Sequence, residues 1–253
     1  MIKKIEKNDV ESVLSFLGED VFSVRIKANL SAYGTDYSFA EFWAQYDENN
    51  SVCAVLSKIN GACTLVINEK ADTDELKSFL FCFPYVSAFL SSENAALMDI
   101  DITHSGDILV SDSESINAYG NIPDFTDMKA AFELIRKNEG NSVAALDYLE
   151  WLSDFTYKRN RGYARLKAIE EDGKLISFAM TSAETKSSAI ISGVFTDEDS
   201  RNRGYGEKVL MSLVSSLKSE NKTVYIMTAE EKLTAFYEKR GFKKIGKWSE
   251  GKQ

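Results

Sequence analysis

Arg201-Asn202-Arg203-Gly204-Tyr205-Gly206 is a glycine-bearing stretch between a strand pattern and a helix pattern. Before it lies a β-branched run over residues 187–195. After it, apolar residues recur at the spacing of one helix face, at Val209, Leu210, Leu213, Val214 and Leu217. Free N–H groups at a helix N-terminus bind anions, most often phosphates, and glycine lets the backbone approach closely. The stretch alone fits either an anion site or a tight turn with two solvated arginines.

The chain has 253 residues, of which 44% are hydrophobic, so it suffices for one large or two modest globular domains. Its apolar runs are all shorter than the roughly 18 residues that a membrane span needs. Residues 1–7 lack the uninterrupted apolar core of a signal peptide. We therefore predict a cytoplasmic location and no membrane partner.

The formal net charge of −9 argues against a nucleic-acid partner, because phosphate backbones require a basic surface. Small anions are not excluded, since one local pocket can oppose the global charge. His104 is the single histidine, which excludes a multi-histidine metal site, and we predict no metal. Cys53, Cys63 and Cys82 form no C-x-x-C pair, and we expect three buried free thiols rather than a disulfide framework.

In the first half, periodicity predicts helices at 9–17, 21–32 and 73–83, and strands at 37–46, 51–58, 62–68 and 86–90. Asn60-Gly61 is a two-residue hairpin signal, which places Cys53 opposite Asn68 and Cys63 opposite Lys58. Residues 99–121 are polar apart from one short apolar run. We place the domain boundary there, giving domains at 1–105 and 106–253.

In the second half, the same reasoning predicts helices at 126–137, 142–158, 204–219 and 230–239, and strands at 163–170, 174–182, 187–195, 223–227 and 242–248. Residues 9–90 and 126–227 then share one order of elements: two helices, three strands, a helix and a strand. We interpret this as one ancestral unit used twice, with chance coincidence as the alternative. The loop at 68–72 has no glycine, so the anion site is predicted in the second copy.

Two motifs in the second half resemble a known family. The strand at 190–196 followed by Arg201-x-x-Gly204-x-Gly206 and a helix resembles the acetyl-CoA motif of the GNAT superfamily of N-acetyltransferases. Residues 235–242, with Tyr237 ahead of a Gly-Phe, resemble the second signature of that family. The resemblance covers about residues 120–250, whereas in residues 1–105 only the order of elements is similar.

The resemblance implies an α+β, three-layer fold with a mixed, mostly antiparallel sheet flanked by helices. It also implies two tandem GNAT-like units, the first of them degenerate and without a cofactor motif. The expected activity is that of an acyltransferase, which moves an acetyl group from acetyl-CoA to a primary amine on a small molecule or peptide. The amine attacks directly in a ternary complex, and coenzyme A is the second product.

Site residues follow from the resemblance, position by position. The donor-binding set is Val194, Phe195, Thr196, Arg201, Asn202, Arg203, Gly204, Tyr205, Gly206 and Glu207. Backbone N–H groups of the turn would hold the pyrophosphate, and the strand would pair with the pantetheine arm. Tyr237 would protonate the departing thiolate as general acid. The alternative for Tyr237 is a half-buried core tyrosine.

The chain departs from the family pattern at two places. Glu230 stands where many members carry asparagine, and residues 187–194 contain no carboxylate. The general base is therefore unassigned, with Glu184 and Asp197 as candidates for a water relay. These departures leave a second hypothesis open: a catalytically weak or inactive module that senses acyl-CoA or docks another protein.

The acceptor is the least constrained part of the prediction. Asp147, Glu150 and Asp154 fall at i, i+3 and i+7, on one face of a predicted helix that borders the acceptor cleft in this family. That face would attract a cationic amine such as a polyamine, an aminoglycoside or a lysine side chain. The alternative is a solvated surface.

Overall fold

A computed structural model describes residues 1–112, 120, 122–138 and 147–252. The chain forms two compact units. The first unit comprises Met1–Leu109, Met227–Glu238 and Lys244–Gln253, and the second comprises Val110–Ile226 and Lys239–Lys243. These compact units are defined by contacts and not by the internal repeat. The domain boundary between residues 105 and 106 therefore stays a prediction.

The first half of the chain contains four helices and six strands among its described residues. In chain order they are β1 (Ile2–Lys4), α1 (Val10–Phe16), α2 (Val21–Tyr33), β2 (Ala40–Tyr46), β3 (Val52–Ile59), β4 (Ala62–Ile67), α3 (Thr73–Cys82), β5 (Ser87–Ser91), α4 (Ser92–Leu97) and β6 (Ile102–Ser111). Helix α4 and strand β6 were not predicted, and the predicted boundary falls within β6.

The second half of the chain follows with α5 (Met128–Lys137), α6 (Tyr148–Arg159), β7 (Leu166–Glu171), β8 (Lys174–Glu184), β9 (Ser188–Thr196), α7 (Tyr205–Ser219), β10 (Thr223–Thr228), α8 (Glu231–Glu238) and β11 (Phe242–Gly251). The helix predicted over 142–158 corresponds to α6. Its predicted first residues, 142–146, lie outside the described residues.

The internal repeat extends beyond the prediction. From α1 to β6 and from α5 to β11, the order is the same: two helices, three strands, a helix, a strand, a helix and a strand. The ladders also match, because β2–β3–β4 and β7–β8–β9 are antiparallel while β4–β5 and β9–β10 are parallel. The predicted mixed, mostly antiparallel sheet with flanking helices is confirmed.

The two units differ in the number and order of their strands. In the first unit the order is β1-β2-β3-β4-β5-β11-β6, and in the second it is β10-β9-β8-β7. Each sheet buries apolar side chains against its own helices. The first unit has a core cluster that includes Leu56, Leu65, Leu76, Leu80 and Leu90. A cluster in the second unit is aromatic, with Phe132, Trp151, Phe155, Phe178 and Phe195.

The Asn60-Gly61 hairpin forms as the sequence predicts. Both residues have positive φ, 48° and 84°, which a two-residue turn of matching twist requires. Lys58 pairs with Cys63 in the β3–β4 ladder, and the Asn68 N–H donates to the Cys53 carbonyl at 3.0 Å. The thiols are free as expected, but Cys82 is exposed and not buried. The expectation of three buried thiols was wrong there, because α3 turns Cys82 towards solvent.

Among the described residues, none of the helices is long and apolar enough to cross a membrane. The same residues contain no group of three or more His, Cys, Asp or Glu side chains placed to hold a metal ion. His104 lies on β6 with an exposed side chain, where its Nδ1 is 3.1 Å from Oγ1 of Thr103.

Candidate functional site: the glycine turn and the edge of β9

The glycine turn, residues 201–204, connects β9 to α7 after one 3₁₀ turn at Glu198–Ser200. Asn202 and Gly204 both adopt left-handed backbone conformations, with φ of 62° and 83°. Asparagine and glycine are the residues that enter this region most readily. The local sequence therefore accounts for the sharp reversal that brings α7 back against β9.

The N-terminus of α7 lacks the side-chain cap that closes other helices of this chain. Gly204 is its N-cap residue and provides no side-chain hydrogen bond. At the corresponding helix of the first copy, α3, the Asp72 carboxylate accepts from the N–H groups of Asp74 and Glu75 at 3.1 and 3.0 Å. The N-cap residue of α7 thus supplies no acceptor to the first turn, as an anion site requires, whereas the N-cap residue of α3 does.

Gly206 brings the first turn of α7 close to the end of β9. A Cβ at this position would lie 3.0 Å from Oγ1 of Thr196 and 3.9 Å from a methyl group of Val194. The first distance is tighter than nine in ten real Cβ contacts, so a larger residue would require Thr196 or the helix to shift by a few tenths of an ångström. Glycine therefore sets the spacing between the helix N-terminus and the strand.

One edge of β9 is unpaired over its second half. The parallel ladder with β10 joins Ser188–Ile191 to Thr223–Ile226 and, within these described strands, includes no later pair in β9. The opposite edge stays paired with β8 as far as Ser177 and Thr196. Val194, Phe195 and Thr196 lie on this open stretch, where free backbone groups can accept an extended ligand as an added strand.

The side chains of that stretch have different roles. Phe195 is 8% exposed and packs on Phe178 with ring centroids 5.2 Å apart, so its ring belongs to the core and its backbone remains for a ligand. Oγ1 of Thr196 lies 2.9 Å from Oγ of Ser177. Val194 is half-buried.

Polar contacts hold the glycine turn and the first residue of α7 at two places in the second unit. Arg201 donates from its guanidinium to Oδ1 of Asn138 at 2.6 Å. The Tyr205 hydroxyl donates to the Glu171 carboxylate in the β7–β8 hairpin, which raises the pKa of that tyrosine. Asn202 and Arg203 have exposed side chains.

Glu207 places a carboxylate in the first turn of α7, where it would repel an anionic ligand. The Arg240 guanidinium lies 2.5 Å from it and balances that charge. The glycine motif predicted Glu207 but not its partner. The sequence does contain a signal for this partner, because Arg240 directly precedes the Gly241-Phe242 pair of the second signature.

Tyr237 lies in α8, which belongs to the first unit. Its side chain is 8% exposed and meets the Phe236 ring edge-on at 5.3 Å between centroids. Burial raises the pKa of Tyr237 to about 12, and the negative charge of Glu230 adds to the effect. The phenol is therefore protonated at neutral pH and is able to donate a proton.

The predicted carboxylate face on α6 is largely engaged within the helix. Asp147 is the N-cap and accepts from the N–H groups of Leu149 and Glu150 at 2.8 and 3.1 Å. Asp154 is 3.1 Å from the Lys158 ammonium. Asp147 and Glu150 are both exposed, and among the described residues the Glu150 carboxylate has neither a cap bond nor an ion pair.

Glu184 is held in a buried ion network and is a poor candidate for the proton relay. Its carboxylate, 1% exposed, accepts two hydrogen bonds from Arg165 at 2.8 and 2.7 Å and one from Lys222 at 2.7 Å. It pairs with Ala189 at the start of β9. At about 3.3 Å per residue, the end of β9 before the glycine turn is about 23 Å away.

Asp197, the other relay candidate, directly follows β9 beside the glycine turn. Its carboxylate is buried and lies 3.2 Å from the Lys174 ammonium. The position suits a role at the turn, where the carboxylate is already paired with the Lys174 ammonium.

A comparison with known families identifies the second copy. The sequence profile of the acetyltransferase (GNAT) family matches residues 128–242. These residues of the chain resemble the GNAT acetyltransferase family. The matched GNAT region begins with α5 and ends at the start of β11, so it contains both the glycine turn and Tyr237. The family that this profile describes is a family of acetyltransferases.

Solved structures show that the GNAT fold extends over the whole chain. A tandem GNAT protein from the clavulanic acid biosynthesis pathway covers 99% of this chain and 97% of its own, with a TM-score of 0.64 and 12% identity. A GCN5-related N-acetyltransferase from Sphaerobacter thermophilus gives a TM-score of 0.65 at 12% identity, covering 99% and 94%. At these identities, the likeness concerns the fold.

A relative by sequence is the UPF0039 protein of Schizosaccharomyces pombe. It is 29% identical over 75 residues, which make up 29% of this chain and 50% of the relative. The match thus spans half the length of that protein.

Proposed function

We propose that the protein is an N-acetyltransferase that transfers the acetyl group of acetyl-CoA to a primary amine. The observation that carries the proposal is the uncapped N-terminus of α7 at Gly204, next to the open edge of β9. An anion and an extended, amide-bearing arm are the two parts that such a pair of features would bind. Coenzyme A has both.

Each donor residue receives a role consistent with its contacts. The N–H groups of Tyr205, Gly206 and Glu207 hold the pyrophosphate, while Arg201 and Arg203 contribute positive charge at the rim. Backbone groups of Val194 and Thr196 pair with the pantetheine arm. Arg240 keeps the Glu207 carboxylate from opposing the bound phosphates.

The reaction proceeds by direct attack in a ternary complex. The neutral amine nitrogen forms a bond to the acetyl carbonyl carbon, and the carbon–sulfur bond breaks. Tyr237 gives its proton to the departing thiolate, which leaves as coenzyme A, and the proton lost from the amine returns through solvent to the phenolate. The Tyr237 phenol carries its proton at neutral pH, as a general acid must before the transfer.

A second function is supported by one specific observation. β9 carries no carboxylate up to Thr196, and Glu184, at the end of β8, is tied into an ion network. An acyl-CoA sensor without a general base would have this composition. Such a protein would bind acetyl-CoA tightly and acetylate none of the offered amines.

Titration calorimetry with acetyl-CoA tests the donor site. We expect one site per chain, with binding abolished in Gly204→Asp/Gly206→Asp because two carboxylates enter the anion site. Asp72→Asn, at the corresponding helix of the first copy, is the matched control and should leave binding unchanged. Undiminished binding of acetyl-CoA in the double variant would reject the assignment of the pyrophosphate site to the glycine turn.

A further inference from the structure

Strand β6 approaches the end of β10 so closely that only glycine fits at the crossing. Within the first unit, a Cβ on Gly106 would lie 2.1 Å from the carbonyl oxygen of Thr228 and 2.7 Å from Cα of Ala229. Real Cβ atoms essentially never come so near to backbone. The next residue of β6, Asp107, is consequently held beside the segment that leads into α8.

Asp107 makes two polar contacts in this position. Oγ1 of Thr234, on α8, donates to its Oδ2 at 3.0 Å. The ammonium of Lys244, on β11, lies 2.5 Å from its Oδ1. The Lys244 ammonium holds the pKa of Asp107 below its usual range, so the carboxylate is charged at neutral pH. A hydrogen bond to a charged acceptor is stronger than one between neutral groups.

Thr234 lies one helical turn before Tyr237. Residues three apart are neighbours on a helix surface, and both side chains are 8% exposed. Glu230, whose charge acts on the Tyr237 phenol, stands at i−4 from Thr234 and i−7 from Tyr237, on the same face. A bond at Thr234 therefore fixes the rotation of α8 about its axis, and with it the direction of the Tyr237 ring.

We propose that Asp107 is a positioning residue for the transfer reaction, and that it acts through Thr234 to hold α8 in the rotation that the acid needs. This inference rests on the proposed function, since it requires Tyr237 as general acid. It also assigns a role to the degenerate first copy. β6 has the place in that copy that β11 has in the second, so the last strand of the first copy orients the acid of the other.

The test is a double-mutant cycle between Thr234→Val and Tyr237→Phe. Valine keeps the shape of threonine and removes the donor. Activity is measured as thiol release from acetyl-CoA with the best acceptor among spermidine, kanamycin and a lysine peptide, and acetyl-CoA affinity is measured by calorimetry. We expect Thr234→Val to lower kcat about tenfold through misplacement of the acid, with the Kd for acetyl-CoA unchanged.

Two further variants sharpen the cycle. Thr234→Ser keeps the hydroxyl and should retain kcat within about twofold of the wild type. Asp107→Asn keeps the size of the side chain but makes it a weaker hydrogen-bond acceptor, and it should lower kcat about threefold. If Thr234→Val does not fold, Asp107→Asn takes its place in the cycle. In the Tyr237→Phe background, both Thr234→Val and Asp107→Asn should change kcat less than about twofold, because the group they position is gone.

An equal loss of kcat in both backgrounds, or an unchanged kcat in Thr234→Val and Asp107→Asn, overturns the positioning role. Tyr237→Phe alone reports on the proposed function. A large loss in Tyr237→Phe beside unaffected Thr234 and Asp107 variants rejects the positioning role and keeps the acid. Wild-type kcat in Tyr237→Phe rejects the acid, and the positioning role with it.

Discussion

Oγ1 of Thr196 faces the missing side chain of Gly206, at 3.0 Å from where a Cβ would stand. This contact sets how closely the uncapped end of α7 approaches the open edge of β9. In the proposed site, the pyrophosphate would bind at the end of α7 and the pantetheine arm at the edge of β9. The spacing between α7 and β9 would therefore decide whether one ligand can bind at both places.

Gly206→Ala should raise the Kd for acetyl-CoA about tenfold, a loss of about 1.4 kcal/mol, because the added methyl displaces the helix from the strand. The measurement is calorimetry on Gly206→Ala, Thr196→Ala and the double variant. In the double variant the methyl gains room, so the two effects should be less than additive. Strict additivity would argue against a steric origin.

Tyr237→Phe should lower kcat at least about 100-fold while leaving the Kd for acetyl-CoA unchanged, because a positioned proton donor contributes about this much. The pKa of Tyr237 is raised to about 12. Its proton is therefore retained as pH rises, and kcat should show no alkaline loss from this group up to pH about 10. A wild-type kcat that falls through pH 8 or 9 and is flat in Tyr237→Phe would contradict the assignment.

Glu220 should contribute stability that is lost in acid. The Arg165 guanidinium, 2.5 Å away, with help from Lys222, lowers the pKa of Glu220 to about 2. A depressed pKa stabilises the fold above the unfolded-state value of about 4.3, and that contribution disappears as pH falls towards 2. Between pH 5 and 3, the Tm should fall less in Glu220→Gln than in the wild type. Glu133→Gln, at an exposed residue of α5, is the control and should behave as the wild type.

Glu150→Gln should raise KM for spermidine about threefold and leave KM for acetyl-CoA unchanged, because Glu150 is an exposed carboxylate of the α6 face and exposed charges contribute about 0.5 kcal/mol. The effect should vanish in high salt. Asp147→Ala gives a contrasting result: the loss of the N-cap lowers stability by about 1 kcal/mol. An unchanged KM for spermidine in Glu150→Gln would show that this face of α6 is a solvated surface and not part of the acceptor site.

Much of the fold was predictable because its patterns are local. Val209, Leu210, Leu213, Val214 and Leu217 mark the face of α7, and all five are fully buried. Helix α4 was missed because six residues are too few to show a period, although its cap is visible in the sequence as Ser91, which accepts from Asn94 at 3.1 Å. Strand β6 was missed because residues 102–105 are exposed and show no alternation.

The geometry of the glycine turn was predictable from the local sequence, whereas the roles of the site residues stay predictions. Gly204 predicts a left-handed backbone conformation, and Gly206 predicts a close approach between helix and strand. Neither prediction needs information about the tertiary structure. Three pairs within the separate units join residues far apart in the chain: Glu207 with Arg240, Tyr205 with Glu171, and Asp107 with Thr234 across 127 positions. A single sequence carries no signal for these pairs, because they depend on how the strands are ordered.

The most direct test of acetyl transfer is mass spectrometry of the products formed from acetyl-CoA and the amine panel by wild type and Tyr237→Phe. The account predicts an N-acetylated amine in amounts equal to the released coenzyme A thiol, with a rate at least about 100-fold lower in Tyr237→Phe. Tight acetyl-CoA binding with no acetylated amine would contradict it and favour the sensor.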